Sequence, residues 1–401
     1  MRKLKAAIYY PWVYLHGGPE RTLAEYLSRT RHDWTVFTHR FEAESTFPSL
    51  RDARIVELSP RVSVKRTMKE VCKAAWTISR SKLPLDGYDA LVIFCEGLGD
   101  FATVQNRSLP TVNFCFTPLR AAFDPLYQST FLNMKNAGPL TRGVHACANR
   151  AFAIADRRVW KNYDHVIAIS EEVRRRIVDG RLWDGPVELL YPGVDTDRLT
   201  PTWEYSNQFL IPGRIMWTKN LELAIDAFRL FLKRRPDLSH FTLTMAGYVD
   251  KKSEPYLASL RQRAADLPQV RFIEAPDDAK LLKLCQSAFA MLYPPFNEDW
   301  GLVPLEAMAV GKPVIAVNRG GPLETVIHGK TGFLVEPLAE NFANAMEQLA
   351  NSPSLLRLMG RLARERAKEF AWNRFAAGLD NSVERVVETS GSALVQHSLA
   401  V

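Results

Sequence analysis

The stretch Tyr293-Pro294-Pro295-Phe296-Asn297-Glu298-Asp299-Trp300-Gly301-Leu302-Val303-Pro304-Leu305-Glu306-Ala307-Met308-Ala309-Val310-Gly311-Lys312-Pro313 decides the reading of this chain. The apolar run Ala288–Tyr293 ends in two prolines, so a strand stops there and a loop begins. Pro304 suits the first turn of a helix, where a missing N–H costs little, and Gly311 suits its end. The free N–H groups of Gly301, Leu302 and Val303 would form an anion site, reinforced by the helix dipole. Glu298 lies on the loop and Glu306 about one turn along the helix. Two carboxylates beside a phosphate-binding helix start suit a sugar nucleotide, one for the ribose and one for the sugar.

The same strand–loop–helix pattern extends both ways. Short, continuous apolar runs predict strands at Gln208–Ile211, Phe241–Met245, Val270–Ile273, Ala288–Tyr293, Pro313–Val317 and Gly332–Val335. Another set precedes them: Ala6–Tyr10, Trp34–Thr38, Ile55–Leu58, Ala90–Cys95, Thr111–Phe116, His165–Ile169 and Val187–Tyr191. Such runs are what parallel strands covered on both faces require. Helical spacing separates them, as in Leu221, Ile225, Phe228 and Leu232, with Asn220 placed to cap the start. The expected fold is α/β, with two Rossmann-like doubly wound domains facing across a cleft. The boundaries read as 1–195 for an acceptor-side domain, 196–206 for a linker and 207–370 for a nucleotide-sugar domain. A C-terminal helix, 371–401, would pack back on the first domain after a break near Phe370–Asn373.

The chain's 401 residues suit two such domains, and 47% hydrophobic with 24% charged residues describes a folded globular protein. No apolar run is long enough to span a membrane, and the N-terminal one is too short for a signal peptide, which predicts a cytoplasmic protein. Five isolated cysteines among apolar neighbours read as small buried hydrophobes, and the eight histidines show no ligand spacing. Of the net charge of +8, residues 1–200 carry +7, which suggests attraction to something anionic. Over 61–80, Lys65, Lys69 and Lys73 recur beside Val64, Met68, Val71, Cys72 and Trp76. That pattern fits either a solvated helix face or peripheral contact with an anionic membrane.

Glu298 and Glu306, with seven residues between them and Trp300-Gly301 inside, resemble the E-x7-E motif of the retaining glycosyltransferases of family 4. Gly320-Gly321-Pro322-Leu323-Glu324 is similar to that family's continuation. The resemblance implies the two-domain GT-B architecture, with Glu298 on the donor sugar, Glu306 on the ribose, and the Leu302 and Val303 amides on the sugar or diphosphate. Trp300 and Gly301 fall in the same donor-binding set. Pro212-Gly213-Arg214 followed by Lys219 resembles the family's G-R-x4-K loop, whose two cations would neutralise the departing diphosphate. Glu298, Arg214 and Lys219 are thus the expected catalytic residues. No metal and no separate cofactor are expected. Asp195-Thr196-Asp197 reads as structural.

In the first half, His16-Gly17-Gly18-Pro19-Glu20-Arg21 resembles the family's G-G-x-E-R loop, which implies donor contacts from Gly17 and Gly18. Thr117-Pro118-Leu119-Arg120 through Asp124 resembles a mannosyltransferase-like branch, and so implies an acceptor side of His16, Phe116, Arg120 and Asp124. That branch commonly has a histidine where this chain has Phe116. The implied function is transfer of a hexose, foremost mannose from GDP-mannose, to a glycan or lipid-linked saccharide in polysaccharide or lipopolysaccharide biosynthesis. A UDP-sugar donor, a sugar-nucleotide epimerase and a catalytically silent partner subunit stay open. Nucleic acid is not an expected partner.

Overall fold

The computed structural model describes residues 2–65 and 67–399, with side chains described as far as residue 391. The chain divides into two units, one of Met1–Pro192 with Trp372–Val401, the other of Gly193–Ala371.

The first unit holds a seven-stranded, all-parallel sheet. Its strands are β1 (Lys5–Tyr9), β2 (Asp33–Thr38), β3 (Ile55–Glu57), β4 (Ala90–Cys95), β5 (Thr111–Cys115), β6 (His165–Ala168) and β7 (Val187–Leu189), in the order 3-2-1-4-5-6-7. The central strands β4 and β5 are buried at every residue, so both faces select apolar side chains and the strand reads as an unbroken run. The second unit has six parallel strands: β8 (Gln208–Pro212), β9 (Thr242–Gly247), β10 (Val270–Glu274), β11 (Ala290–Tyr293), β12 (Val314–Val317) and β13 (Gly332–Val335). Their order, 10-9-8-11-12-13, is the doubly wound 3-2-1-4-5-6 pattern, reversing between β8 and β11.

The helix Trp372–Leu399 belongs to the first unit through a buried polar seam. Asp380 accepts from the hydroxyls of Tyr26 (2.7 Å) and Thr30 (2.6 Å) and from the Arg31 amide (3.0 Å). Glu384 pairs with Arg31 at 2.6 Å and with His32 at 3.0 Å.

The segment 196–206, expected as a linker, is instead counted within the second unit, and its hydrogen bonds explain why. The Arg364 guanidinium donates to the carbonyls of Thr196, Leu199 and Ala309. Thr202 and Thr200 exchange bonds with Gln286, and the Tyr205 hydroxyl donates to Gly311 O at 3.1 Å. Asp195 accepts from the amides of Asp197 and Arg198, closing its own turn. Asn220 also departs from expectation. It stands before the helix Leu221–Arg234 in a left-handed conformation (φ 51°) and makes no side-chain cap bond. The Leu223 amide donates to Asn220 O at 3.2 Å, and the Leu221 amide donates to the Tyr256 hydroxyl, 2.9 Å away.

Lys312 clamps the segment from the other side. Its buried ammonium donates to Glu204 O and lies 3.9 Å from the centre of the Tyr205 ring. Desolvation pushes the amine down from 10.5 to about 8. Between those values the unfolded chain binds the proton more tightly than the folded one, so this group makes stability rise with pH. The stability difference between wild type and Lys312→Met should therefore grow in the wild type's favour from pH 8 to 10.5 and be flat below. Denaturant titrations across that range would check it, and parallel curves for the two proteins would contradict it.

Candidate functional site

Ligands of doubly wound sheets bind beyond the carboxyl ends of the strands where their order reverses. In the second unit that point lies after β8 and β11. The loop leaving β8 turns at Gly213 (φ +117°), and Gly213 N donates to Ala246 O at 2.9 Å. A Cβ on Gly247 would lie 1.8 Å from Gly213 O, so only glycine allows this approach. The Phe296 amide donates to Thr218 O at 3.2 Å, tying the loop after β11 to the loop after β8.

These two loops bring opposite charges together. Lys219 Nζ lies 2.5 Å from Glu298 Oε2, both side chains about one quarter exposed. The same ammonium stands 5.8 Å from the centre of the Tyr293 ring. Tyr293 is the buried last residue of β11. Burial first, and the Glu298 charge next, hold its phenol well above its ordinary range, so it stays protonated. Arg214 is exposed on the first loop and forms no ion pair among the described residues. A shallow hollow runs from Ile211–Ile215 past Lys219 to Tyr293–Pro295.

Beyond Glu298 the chain reaches Gly301 (φ +93°), which precedes the helix Leu302–Ala309. A side chain there would meet the Tyr293 hydroxyl at 2.9 Å, so the glycine keeps the helix start open. The Val303 side chain lies 3.7 Å from the position a Cβ on Gly213 would take, which places this helix start beside the β8 loop. Glu306, half-buried on the same helix, contributes a charge that, after burial, raises the Cys285 thiol. Trp300 points its indole inward, buried 5.5 Å from the Phe370 ring, so the ring itself is not open to a ligand. Its loop is pinned by Gly321, whose amide donates to Glu298 O at 2.9 Å.

The acceptor-side residues sit on the first unit. Phe116 is buried among Phe114, Phe94 and Tyr10, at ring distances of 5.1, 5.3 and 6.5 Å, and offers no polar atom. Arg120 donates to Asp124 at 2.8 Å, while Asp124 caps the next helix through the Tyr127 amide and faces Arg176 at 3.4 Å. Both are engaged in holding the fold. Exposed His16 packs edge-on to Phe47 at 4.9 Å. Gly17 begins the helix Gly18–Leu27, and a Cβ there would meet the buried Glu20 carboxylate at 2.4 Å.

Sequence reasoning passed over two features. Tyr293 was visible only as a strand end, although a tyrosine there necessarily underlies the Glu298 loop. The Tyr10 hydroxyl donates to Glu96 at 2.7 Å, across the switch between β1 and β4, and no local spacing announces a pair 86 residues apart.

Residues 200–366 match the family model described as glycosyl transferases group 1, and residues 21–198 match the one described as glycosyltransferase family 4. Human alpha-1,3/1,6-mannosyltransferase ALG2 is 40% identical over 159 residues, which is 38% of each chain. The Dictyostelium discoideum protein of the same name is 32% identical over 231 residues, 49% of this chain and 55% of the relative. A D-inositol 3-phosphate glycosyltransferase of Streptomyces avermitilis is 30% identical over 268 residues, 62% and 57% of the two chains. The matches thus span between 38% and 57% of the length of these relatives. Among solved structures, Anabaena HepE in complex with UDP and glucose superimposes with a TM-score of 0.66 at 17% identity, over 95% of this chain and 99% of that one. WaaG, a glycosyltransferase involved in lipopolysaccharide biosynthesis, gives 0.67 at 18% identity over 94% and 99%. These likenesses establish the GT-B pair of Rossmann-like domains.

Proposed function

The chain belongs to the group 1 and family 4 glycosyltransferases, and on that premise we propose that it transfers a hexosyl group, foremost mannose from GDP-mannose, to a saccharide hydroxyl with retention. The observation that carries the reading is the Lys219–Glu298 pair beside exposed Arg214 and the Gly301 helix start, all at the β8/β11 switch. Arg214, Lys219 and the amides of Leu302 and Val303 receive the diphosphate, and their positive potential stabilises the charge that grows as it departs. That potential makes the proposed transfer independent of a metal ion. Glu298 holds the sugar hydroxyls and keeps Lys219 in place until the diphosphate arrives. Glu306 holds the ribose.

The preference for mannose is supported by the identity to the mannosyltransferases, although the structural neighbour with UDP and glucose bound keeps a UDP-hexose donor in competition. The acceptor is a glycan or lipid-linked saccharide in a cell-surface polysaccharide or lipopolysaccharide route. A catalytically silent subunit is the second reading, favoured by the apolar surroundings of Phe116. Transfer by the wild-type chain removes it.

Calorimetric titration with GDP, UDP, ADP and dTDP tests the donor site. One nucleoside diphosphate should bind selectively. Arg214→Ala should weaken it by about tenfold, the value of one charge-assisted contact. An unchanged dissociation constant would remove Arg214 from the diphosphate site.

A further inference from the structure

Two helices of the first unit present exposed apolar faces among the described residues. The first, Met68–Arg80, exposes Met68, Cys72 and Trp76, one turn apart, with Trp76 65% exposed. Exposed Lys69 and Lys73 border this stripe, and the Arg80 guanidinium lies 5.2 Å from the Trp76 ring centre. The second, Pro139–Trp160, buries only the far end of its length, around Ala153, Asp156, Val159 and Trp160. Its outer stripe runs Leu140, Val144, Cys147, Ala151 and Ile154, with Leu140 83% and Val144 58% exposed. In water such residues gain nothing from standing outward.

Both helices pack on the short helix Gly99–Val104, and they connect β3 to β4 and β5 to β6. Crossovers of one hand place these connections on the same side of the sheet. The two stripes therefore belong to one face of the first unit.

The charge around the second stripe has a single sign, and the first helix carries one acid, half-buried Glu70. From Phe101 to Ala155 the sequence contains one acid, Asp124, and it is buried in its contacts with Arg120 and Arg176. Lys135, Arg142 and Arg150 are exposed in the same span. A second copy of the chain laid on the Leu140 stripe would set arginines against arginines with no carboxylate between them. An anionic bilayer meets both demands, taking the apolar side chains among its acyl chains and the cations at its headgroups.

We infer that this face docks the protein on the surface of an anionic membrane, with Trp76 and Leu140–Val144 as the inserted anchors. No described helix is long and apolar enough to cross a membrane, so the contact is an interfacial one. The inference stands on the first unit alone and does not rest on the donor site.

Co-sedimentation with vesicles tests it without any sugar nucleotide. Binding to vesicles of 70% phosphatidylcholine and 30% phosphatidylglycerol should exceed binding to pure phosphatidylcholine by at least about tenfold, and should fall with salt. Trp76→Ala and the pair Leu140→Asp/Val144→Asp should each reduce it by about tenfold, with unchanged circular dichroism because these side chains are exposed. Arg142→Glu/Arg150→Glu should do the same while leaving the apolar stripe intact. Equal binding to both vesicle types, or full binding by all three variants, would overturn the docking face. A wild-type dimer in light scattering that Leu140→Asp/Val144→Asp dissolves would assign the stripe to a second copy and overturn it as well.

Discussion

Glu298→Ala is expected to lower turnover by about two to three orders of magnitude while leaving affinity for the nucleoside diphosphate within about threefold. A preorganised group acting on charge that develops in the transition state is worth about 100- to 1000-fold. The split follows from the geometry. In the structure Glu298 pairs with Lys219, and on the proposed reading it meets only the sugar. Its removal frees Lys219 for phosphate, so diphosphate binding should hold or tighten while transfer fails. Lys219→Ala should differ by weakening both, since the ammonium would serve the diphosphate in the ground state and on departure. Steady-state kinetics with calorimetric dissociation constants for both variants would distinguish the roles. Preserved turnover in Glu298→Ala would take this carboxylate out of the reaction.

The second large effect is expected from a residue that touches no ligand. A Cβ on Gly321 would lie 1.8 Å from Trp300 O, and one on Gly320 would lie 2.3 Å from Glu298 O. Both obstacles are backbone, so the loop itself must move. Gly321→Ala should destabilise the second unit by about 3 kcal/mol, at the upper end of overpacking costs. Turnover should fall along with stability because Glu298 is on the displaced loop. Gly329→Ala supplies the control. Its φ is positive, at +73°, where that of Gly321 is −53°, and no atom lies within 4 Å of the added carbon, so about 1 kcal/mol is expected from backbone strain alone. Denaturant melts of the three proteins would test the ranking, and equal stability of Gly321→Ala and wild type would show that the loop is not pinned there.

The strands were legible because parallel strands buried on both faces leave little choice of residue. Ala90–Cys95 and Val314–Val317 appear as apolar runs whose ends lie within a residue or two of their positions in the fold. The donor-side loops were legible for a related reason: glycines at left-handed turns, a helix start and two acids all fall within a few residues of one another. Groups that meet only through tertiary structure were not. Tyr10 and Glu96 come from different strands. Arg364 reaches back about 165 residues to hold what composition alone presents as a polar linker. Asn220 shows a local rule yielding to its surroundings: its backbone is left-handed, the Leu223 amide goes to its carbonyl rather than to its side chain, and the Leu221 amide goes to the Tyr256 hydroxyl.

The helix that completes the first unit is made after the whole of the second unit. A ribosome delivers Met1–Pro192, then all of Gly193–Ala371, and only afterwards the residues that bring Asp380 and Glu384. Until then Tyr26, Thr30, Arg31 and His32 lack the carboxylates that satisfy them in the finished fold. The second unit's own residues are all present once Ala371 is made, so it can close while synthesis continues. The half of the chain made first is therefore the half that matures last. A nascent chain arrested at Ala371 would carry a finished second unit behind an unfinished first one.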